Sequence, residues 1–328
     1  MQSYFYKVSD NIERNQLYIM REDLLPVAGG GNKVRIAKEF LQDMKDKKCN
    51  VMIGYGNSSS NLCRVLANLC CQEHIPCYII CSGTERNIQE TSNSRMIALS
   101  GAGLIYCHQT EIADTVETLM NKLRKEGKKP YYIYGNKYGT GNKGVAVKAY
   151  AGAYDQILSY QKEKCICFDY IFFPSGTGAT QGGLTSGHIL AKDKTKICGI
   201  LISSRGYPRA FSVIQQEIRA YMANREMEYQ ECFDEEIHLL GDYTQGGYGI
   251  YDKDILNCIR KVFRDTGVPL DPVYTGKAFW GMQQYLKEKN IQGKKLLFVH
   301  TGGTPLFYDC LNRGELYGKQ GEEKESRL

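Results

Sequence analysis

A chain of 328 residues is past the size at which one core fills efficiently, so its length favours two domains of moderate size. With 42% hydrophobic and 24% charged residues it has the make-up of a soluble globular protein, and no stretch is apolar for long enough to span a bilayer. The net charge of +6 is a mild excess spread along the chain, which suits a small anionic ligand better than nucleic acid.

In chain order, the first signal is a charged strand end at Met20-Arg21-Glu22-Asp23, followed by Ala28-Gly29-Gly30-Gly31-Asn32-Lys33-Val34-Arg35. Three glycines clear side chains from around a lysine at a helix start. There the positive end of the dipole and partial burial both lower its pKa, as Schiff-base chemistry requires. A solvated lysine at a helix N-terminus has the same local sequence. From Asn50 onward, short β-rich runs at 51–53, 77–80, 104–106, 131–134, 170–173, 197–202 and 296–299 alternate with helical patterns. Continuous apolar strands separated by helices predict a parallel sheet covered on both faces, with every strand-to-helix loop at one edge, where ligands of such folds bind.

Several of those loops carry polar clusters. Gly56-Asn57-Ser58-Ser59-Ser60-Asn61 joins a strand to a helix and offers N–H groups and hydroxyls to a carboxylate, although an ordinary helix cap reads alike. Basic residues gather at Lys122, Arg124, Lys125, Lys128 and Lys129, at a predicted helix end. The run Pro174-Ser175-Gly176-Thr177-Gly178-Ala179-Thr180-Gln181-Gly182-Gly183-Leu184 follows a strand and opens a helix; its free N–H groups and the Thr177 and Thr180 hydroxyls can converge on a phosphate. A glycine-rich turn without a ligand is the competing reading. The loop lacks the third glycine and downstream acid of a dinucleotide fingerprint and the lysine of an ATP loop, so its ligand is smaller than a nucleotide. Gly246-Gly247-Tyr248-Gly249, Leu270-Asp271-Pro272-Val273-Tyr274-Thr275-Gly276-Lys277 and His300-Thr301-Gly302-Gly303-Thr304 each read either as a turn or as a wall of the site.

Thirteen cysteines, an odd number with no zinc-knuckle or thioredoxin spacing, and no apolar leader point to a reducing cytoplasm with thiols as small core residues, and no metal is expected. No solenoid repeat or low-complexity linker appears; only the tail 321–328 is expected to be disordered.

Taken together and in order, these pieces resemble the fold-type II pyridoxal-phosphate enzymes, and within them the family of D-cysteine desulfhydrase and 1-aminocyclopropane-1-carboxylate deaminase. The likeness runs from about Arg21 to Tyr308. Its most specific parts are the Leu270–Ala278 motif, L-D-P-V-Y-T-G-K-A, and His300-Thr301-Gly302-Gly303. It implies a two-domain α/β fold like the tryptophan synthase β chain, with mostly parallel sheets flanked by helices. Residues 1–47 and 155–328 would form the large cofactor domain, 48–154 an inserted smaller α/β domain, and the chain would be a homodimer.

The resemblance also implies roles. Lys33, in Gly-Gly-Asn-Lys-x-Arg, would hold pyridoxal 5'-phosphate; Gly176, Thr177, Gly178, Ala179 and Thr180 would hold its phosphate; Asn61 would bond the ring hydroxyl. Ser60 would lie beside the substrate carboxylate as a proton carrier, and Tyr248 and Tyr274 would face the substrate, one of them tuning the amine or accepting a proton. The deaminase branch carries Glu and Leu where this chain has Thr275 and Thr301, and the desulfhydrase branch carries Thr at both. A neutral hydroxyl leaves the ring nitrogen unprotonated and weakens the electron sink, which ranks β-elimination from a small amino acid such as D-cysteine above cyclopropane opening. In that scheme the substrate amine displaces Lys33, Ser60 or the freed Lys33 takes the α-proton, and the aminoacrylate left after elimination hydrolyses to pyruvate and ammonia. Replacement on an activated serine is a third option. Nicotinamide oxidoreductase, thiolate zinc or redox protein, and silent vitamin binder are the rival classes.

Three departures from the family bear on the substrate. The threonine-proline-leucine opening is missing, the serine-asparagine cluster is altered, and Gly135-Asn136-Lys137-Tyr138 replaces a glycine-serine loop. All three are candidates to line the substrate pocket.

Overall fold

The computed structural model describes residues 1–8, 12–57, 59–83, 90–203, 205–223, 225 and 233–317. Ser58, Ser204 and the tail from Gly321 to Leu328 lie outside these described residues.

Two sheets organise the chain. The larger runs β1 (Tyr4–Lys7), β2 (Gln16–Arg21), β10 (Lys295–His300), β7 (Tyr170–Ser175), β8 (Lys196–Leu201) and β9 (His238–Leu240) in spatial order; the smaller runs β5 (Gly103–Cys107), β4 (Cys77–Ser82), β3 (Val51–Gly56) and β6 (Pro130–Tyr132). Every pairing is parallel except β1 on β2, where Tyr4 faces Arg21 across the sheet edge. Each of the seven runs of the apolar pattern falls on a strand, although Ile133-Tyr134 and Ile202 lie just past the ends of β6 and β8. β1, β2 and β9 complete the larger sheet; only the end of β2 is marked in the sequence.

Continuous apolar strands follow from burial on both faces. Leu17 and Ile19 of β2 join Phe172 and Phe298 in one core, while Tyr18 and Met20 turn with Phe173 and Val299 into the other, the two-residue alternation of a pleated strand. The first core rests on helices α8 (Lys253–Thr266) and α9 (Thr275–Glu288). The second is continuous with the smaller sheet through α1 (Asn32–Asp46) and α5 (Val145–Lys164). Val34, Ala37, Leu41 and Met44 recur at helical spacing along the inner face of α1. The remaining helices that matter for the site are α2 (Asn61–Gln72), α3 (Ser92–Leu99) and α6 (Ala179–Ala191). The basic cluster at 122–125 falls in the last turn of α4 (Ile112–Lys125), where it complements the negative end of the helix dipole.

Candidate active site

A cavity of about 290 Å³ opens where the C-terminal ends of β3, β7, β8 and β10 meet. Its wall brings together Lys33, Ser60, Asn61, Gly176, Thr177, Gly178, Thr180, Tyr248, Tyr274 and Thr301, residues spread over most of the sequence. Ala179 lies in the first turn of α6 between Gly178 and Thr180 and is not itself on the wall.

Lys33 is the second residue of α1, half-buried, and its amine is lowered to about 8 by burial. Among the described residues it has no hydrogen-bond or ion-pair partner, so no carboxylate restores its charge. Two loops set its position. Gly31 has φ +102°, and a Cβ there would sit 3.0 Å from the Thr301 carbonyl; a Cβ on Gly302, at φ +103°, would sit 2.5 Å from the Gly31 Cα. The lysine loop and the His300–Gly303 loop therefore touch backbone to backbone, and the Asn32 N–H donates to the Thr301 carbonyl at 2.9 Å.

The Asn32 side chain reaches the other way: its Nδ2 donates to the Thr180 hydroxyl at 2.9 Å, fastening the lysine helix to the 176–180 loop. That loop ends on Gly178, in the left-handed region at φ +93°, with no side-chain cap on α6. The first N–H groups of a helix have no acceptor within it, and here they open on the cavity beside the Thr177 and Thr180 hydroxyls. No acidic side chain stands on the wall among the described residues, and its only formal charges are Lys33 and Arg205.

Across the cavity, Ser60 caps α2 by accepting from the Cys63 N–H at 3.3 Å, which is the helix-cap reading of that cluster, and Ser60 and Asn61 also stand on the cavity wall. Asn93 of α3 donates to the Ser59 carbonyl at 2.7 Å and to the Asn61 Oδ1 at 2.9 Å, which leaves the Asn61 Nδ2 to donate into the cavity. Arg64, 1% exposed, also donates to the Asn61 Oδ1 and to the Gly30 carbonyl; burial without a carboxylate lowers its pKa to about 10. The Tyr248 and Tyr274 hydroxyls are 2.8 Å apart, and burial together with its partner's hydroxyl raises the Tyr274 pKa well above the usual phenol value.

Three expectations are corrected. Thr275 does not reach the cavity: its hydroxyl donates to Asp271 Oδ2 at 2.7 Å and accepts from the Asp271 N–H at 2.8 Å. Asp271 also accepts from the Val273 and Tyr274 N–H groups, so this motif shapes the start of α9, and Thr301 is the threonine that faces the cavity. Residues 135–138 do not line the cavity either; Tyr138 is 77% exposed and Lys137 pairs with Glu117 at 2.8 Å. The described residues before Arg21 are likewise absent from the wall. Asn32, Tyr55, Tyr134, Arg205 and, behind Asn61, Asn93 are additions to the site. Only Asn32 had a signal in the sequence, as the neighbour of the lysine.

The donor set fits pyridoxal 5'-phosphate: uncapped N–H groups and the Thr177 and Thr180 hydroxyls at one end, an unpaired amine of lowered pKa, and an amide donor at Asn61. Comparison with known proteins agrees. The family model for pyridoxal-phosphate dependent enzymes matches residues 6–302. A candidate 1-aminocyclopropane-1-carboxylate deaminase of Pyrococcus horikoshii is 28% identical over 299 residues, 89% of this chain and 87% of its own. The D-cysteine desulfhydrase of Salmonella newport is 26% identical over 314 residues, 93% and 92% of the two chains. Among solved structures, an ACC deaminase homologue superposes with a TM-score of 0.82 at 27% identity, covering 95% of this chain and 93% of that one. An O-ureido-L-serine synthase, at TM-score 0.66 and 14% identity over 97% and 94% of the chains, shares the fold. With Lys33, the 176–180 loop and Asn61 gathered on one cavity and a family match over nearly the whole length, the chain belongs to the pyridoxal-phosphate dependent enzymes.

Proposed function

We propose that this enzyme is a lyase that removes a β-substituent from a small amino acid, with D-cysteine as the leading substrate: D-cysteine and water give pyruvate, ammonia and hydrogen sulfide. The observation that carries the reading is the absence of any carboxylate from the described cavity wall: the position that is Glu in the deaminase branch is Thr275, turned onto Asp271, and Thr301 faces the cavity. Bound pyridoxal phosphate supplies an aldehyde for amines to condense with and a conjugated ring that spreads charge released at the α-carbon. A wall with no acid to pair with the ring nitrogen leaves that nitrogen unprotonated. That suits a reaction whose charge departs with a leaving group better than one that must hold charge through ring opening.

The chain's own residues divide the remaining work. Lys33, at about 8, is partly free base near neutral pH and serves first as the cofactor's amine and, once displaced, as the base at the α-carbon. The Ser60 hydroxyl accepts from the Cys63 N–H, so its own hydrogen is free to bind the substrate carboxylate at the start of α2. Burial keeps the Tyr274 phenol protonated, which makes the Tyr248–Tyr274 pair a donor to the departing sulfide rather than an acceptor.

The test is incubation of the cofactor-loaded protein with D- and L-cysteine, β-chloro-D-alanine, O-activated serines and aminocyclopropane carboxylate, following sulfide, pyruvate and 2-oxobutyrate. Sulfide and pyruvate in equal amounts from D-cysteine are expected. Formation of 2-oxobutyrate alone, from the cyclopropane substrate alone, would overturn the proposal.

A further inference from the structure

Lys277 is 0% exposed and makes no ion pair at contact distance among the described residues, with Asp252 and Asp271 acting on it only from farther off. Burying an ammonium costs free energy unless its donors are used, and here two are used on backbone carbonyls. Its Nζ donates to the Thr244 carbonyl at 2.9 Å and to the Gly247 carbonyl at 2.5 Å. The Gly247 N–H also donates to the Thr244 carbonyl, at 3.0 Å, so the ammonium closes a turn that ends one residue before Tyr248.

The loop itself does little to fix that tyrosine. Gly246, Gly247 and Gly249 all lie in the left-handed region, at φ +82°, +108° and +77°, and Tyr248 is 36% exposed. The other hydroxyl of the pair belongs to Tyr274, which caps the same helix, α9, that carries Lys277 in its first turn. One helix thus holds Tyr274 and grips the backbone beside Tyr248.

We infer that Lys277 is a positioning residue: its ammonium locks the 244–247 turn onto α9 and so sets the Tyr248 hydroxyl against that of Tyr274. The link from this anchor to turnover rests on the lyase reading; the anchor itself does not. An apolar residue of similar length would fill the space but take one donor from each carbonyl, leaving only the Gly247 and Ile250 N–H groups within the turn and nothing to tie the turn to α9 through this side chain.

The experiment compares wild type with Lys277→Met, and with Lys277→Gln, a neutral donor that keeps a fold if the methionine variant loses it. The first readout needs no activity: amide hydrogen exchange, with faster exchange expected in the 244–250 segment of the variants and none in β7 or β10. The second is turnover. If the pair protonates sulfide, Lys277→Met should lower kcat on D-cysteine by about tenfold or more and lower it far less on β-chloro-D-alanine, whose chloride leaves without a proton. Combining Lys277→Met with Tyr248→Phe should then add little to Tyr248→Phe alone. Unchanged exchange at 244–250 overturns the anchor. Faster exchange with equal losses on both substrates, or with additive effects, overturns its action through Tyr248. Faster exchange in an enzyme whose wild type turns over neither substrate supports the anchor and removes the lyase reading instead.

Discussion

Replacing Lys33 by Met should make the cofactor-free protein more stable while abolishing its chemistry. Folding carries the Lys33 amine from 10.5 to about 8 because burial removes water and supplies no counter-charge. Between those values the unfolded chain holds its proton more tightly than the folded one, so this amine's contribution to stability improves as pH rises through the window from about 8 to 10.5. At about 1.4 kcal/mol per pKa unit, the buried amine costs the folded state about 3 kcal/mol at about pH 7 and about 1.4 kcal/mol at about pH 9.5. These are upper values, because the half-buried side chain keeps some solvent at the cavity. Methionine fills nearly the same volume without a charge, so Lys33→Met should gain up to that amount. Urea unfolding of both cofactor-free proteins at the two pH values measures it, and the difference between them cancels other groups that titrate in both. A variant that is neutral or less stable at about pH 7, or a gain that does not shrink with rising pH, would refute the reasoning.

Asn32→Ala removes the donor that holds the Thr180 hydroxyl. Cofactor affinity should fall roughly fivefold, the equivalent of one hydrogen bond of about 1 kcal/mol, and titration of the cofactor-free protein with pyridoxal phosphate checks it. Glu22→Gln acts off the cavity wall, at a residue whose backbone carbonyl holds the Gly31 N–H. The Glu22 carboxylate, 0% exposed, accepts from the Arg35 Nε at 2.6 Å, the Ser3 hydroxyl at 2.6 Å and the Tyr150 hydroxyl at 2.8 Å. Loss of its charge leaves Arg35 buried without a counter-ion and should cost about 3 kcal/mol in a urea melt, with cofactor absorbance retained by the folded fraction.

How far the sequence carries depends on what each residue answers to. The seven apolar runs were legible because strands buried on both faces cannot alternate with polar residues. β1 reads Tyr-Phe-Tyr-Lys at a half-exposed sheet edge and β9 spans only His238–Leu240, so neither leaves a pattern. Lys33 was legible because the close approach of two loops demands glycine at Gly31 and Gly302. Thr275 misled because Asp271 holds it: its hydroxyl bonds the Asp271 carboxylate and N–H while its neighbour Tyr274 faces the cavity. Asn93 and Arg205 stand in no motif, and only the fold brings them to the site. The lowered pKa of Lys33 was expected from the helix dipole and from burial, and burial is what produces it.

The central claim is that Lys33 is the amine that binds the cofactor. Borohydride reduction of the cofactor-loaded protein, followed by peptide mass mapping, should place a single pyridoxyl label on the peptide containing Lys33. A label on another lysine, with Lys277 at a pKa of about 8 the most instructive alternative, or no label on fully loaded protein, would contradict the account.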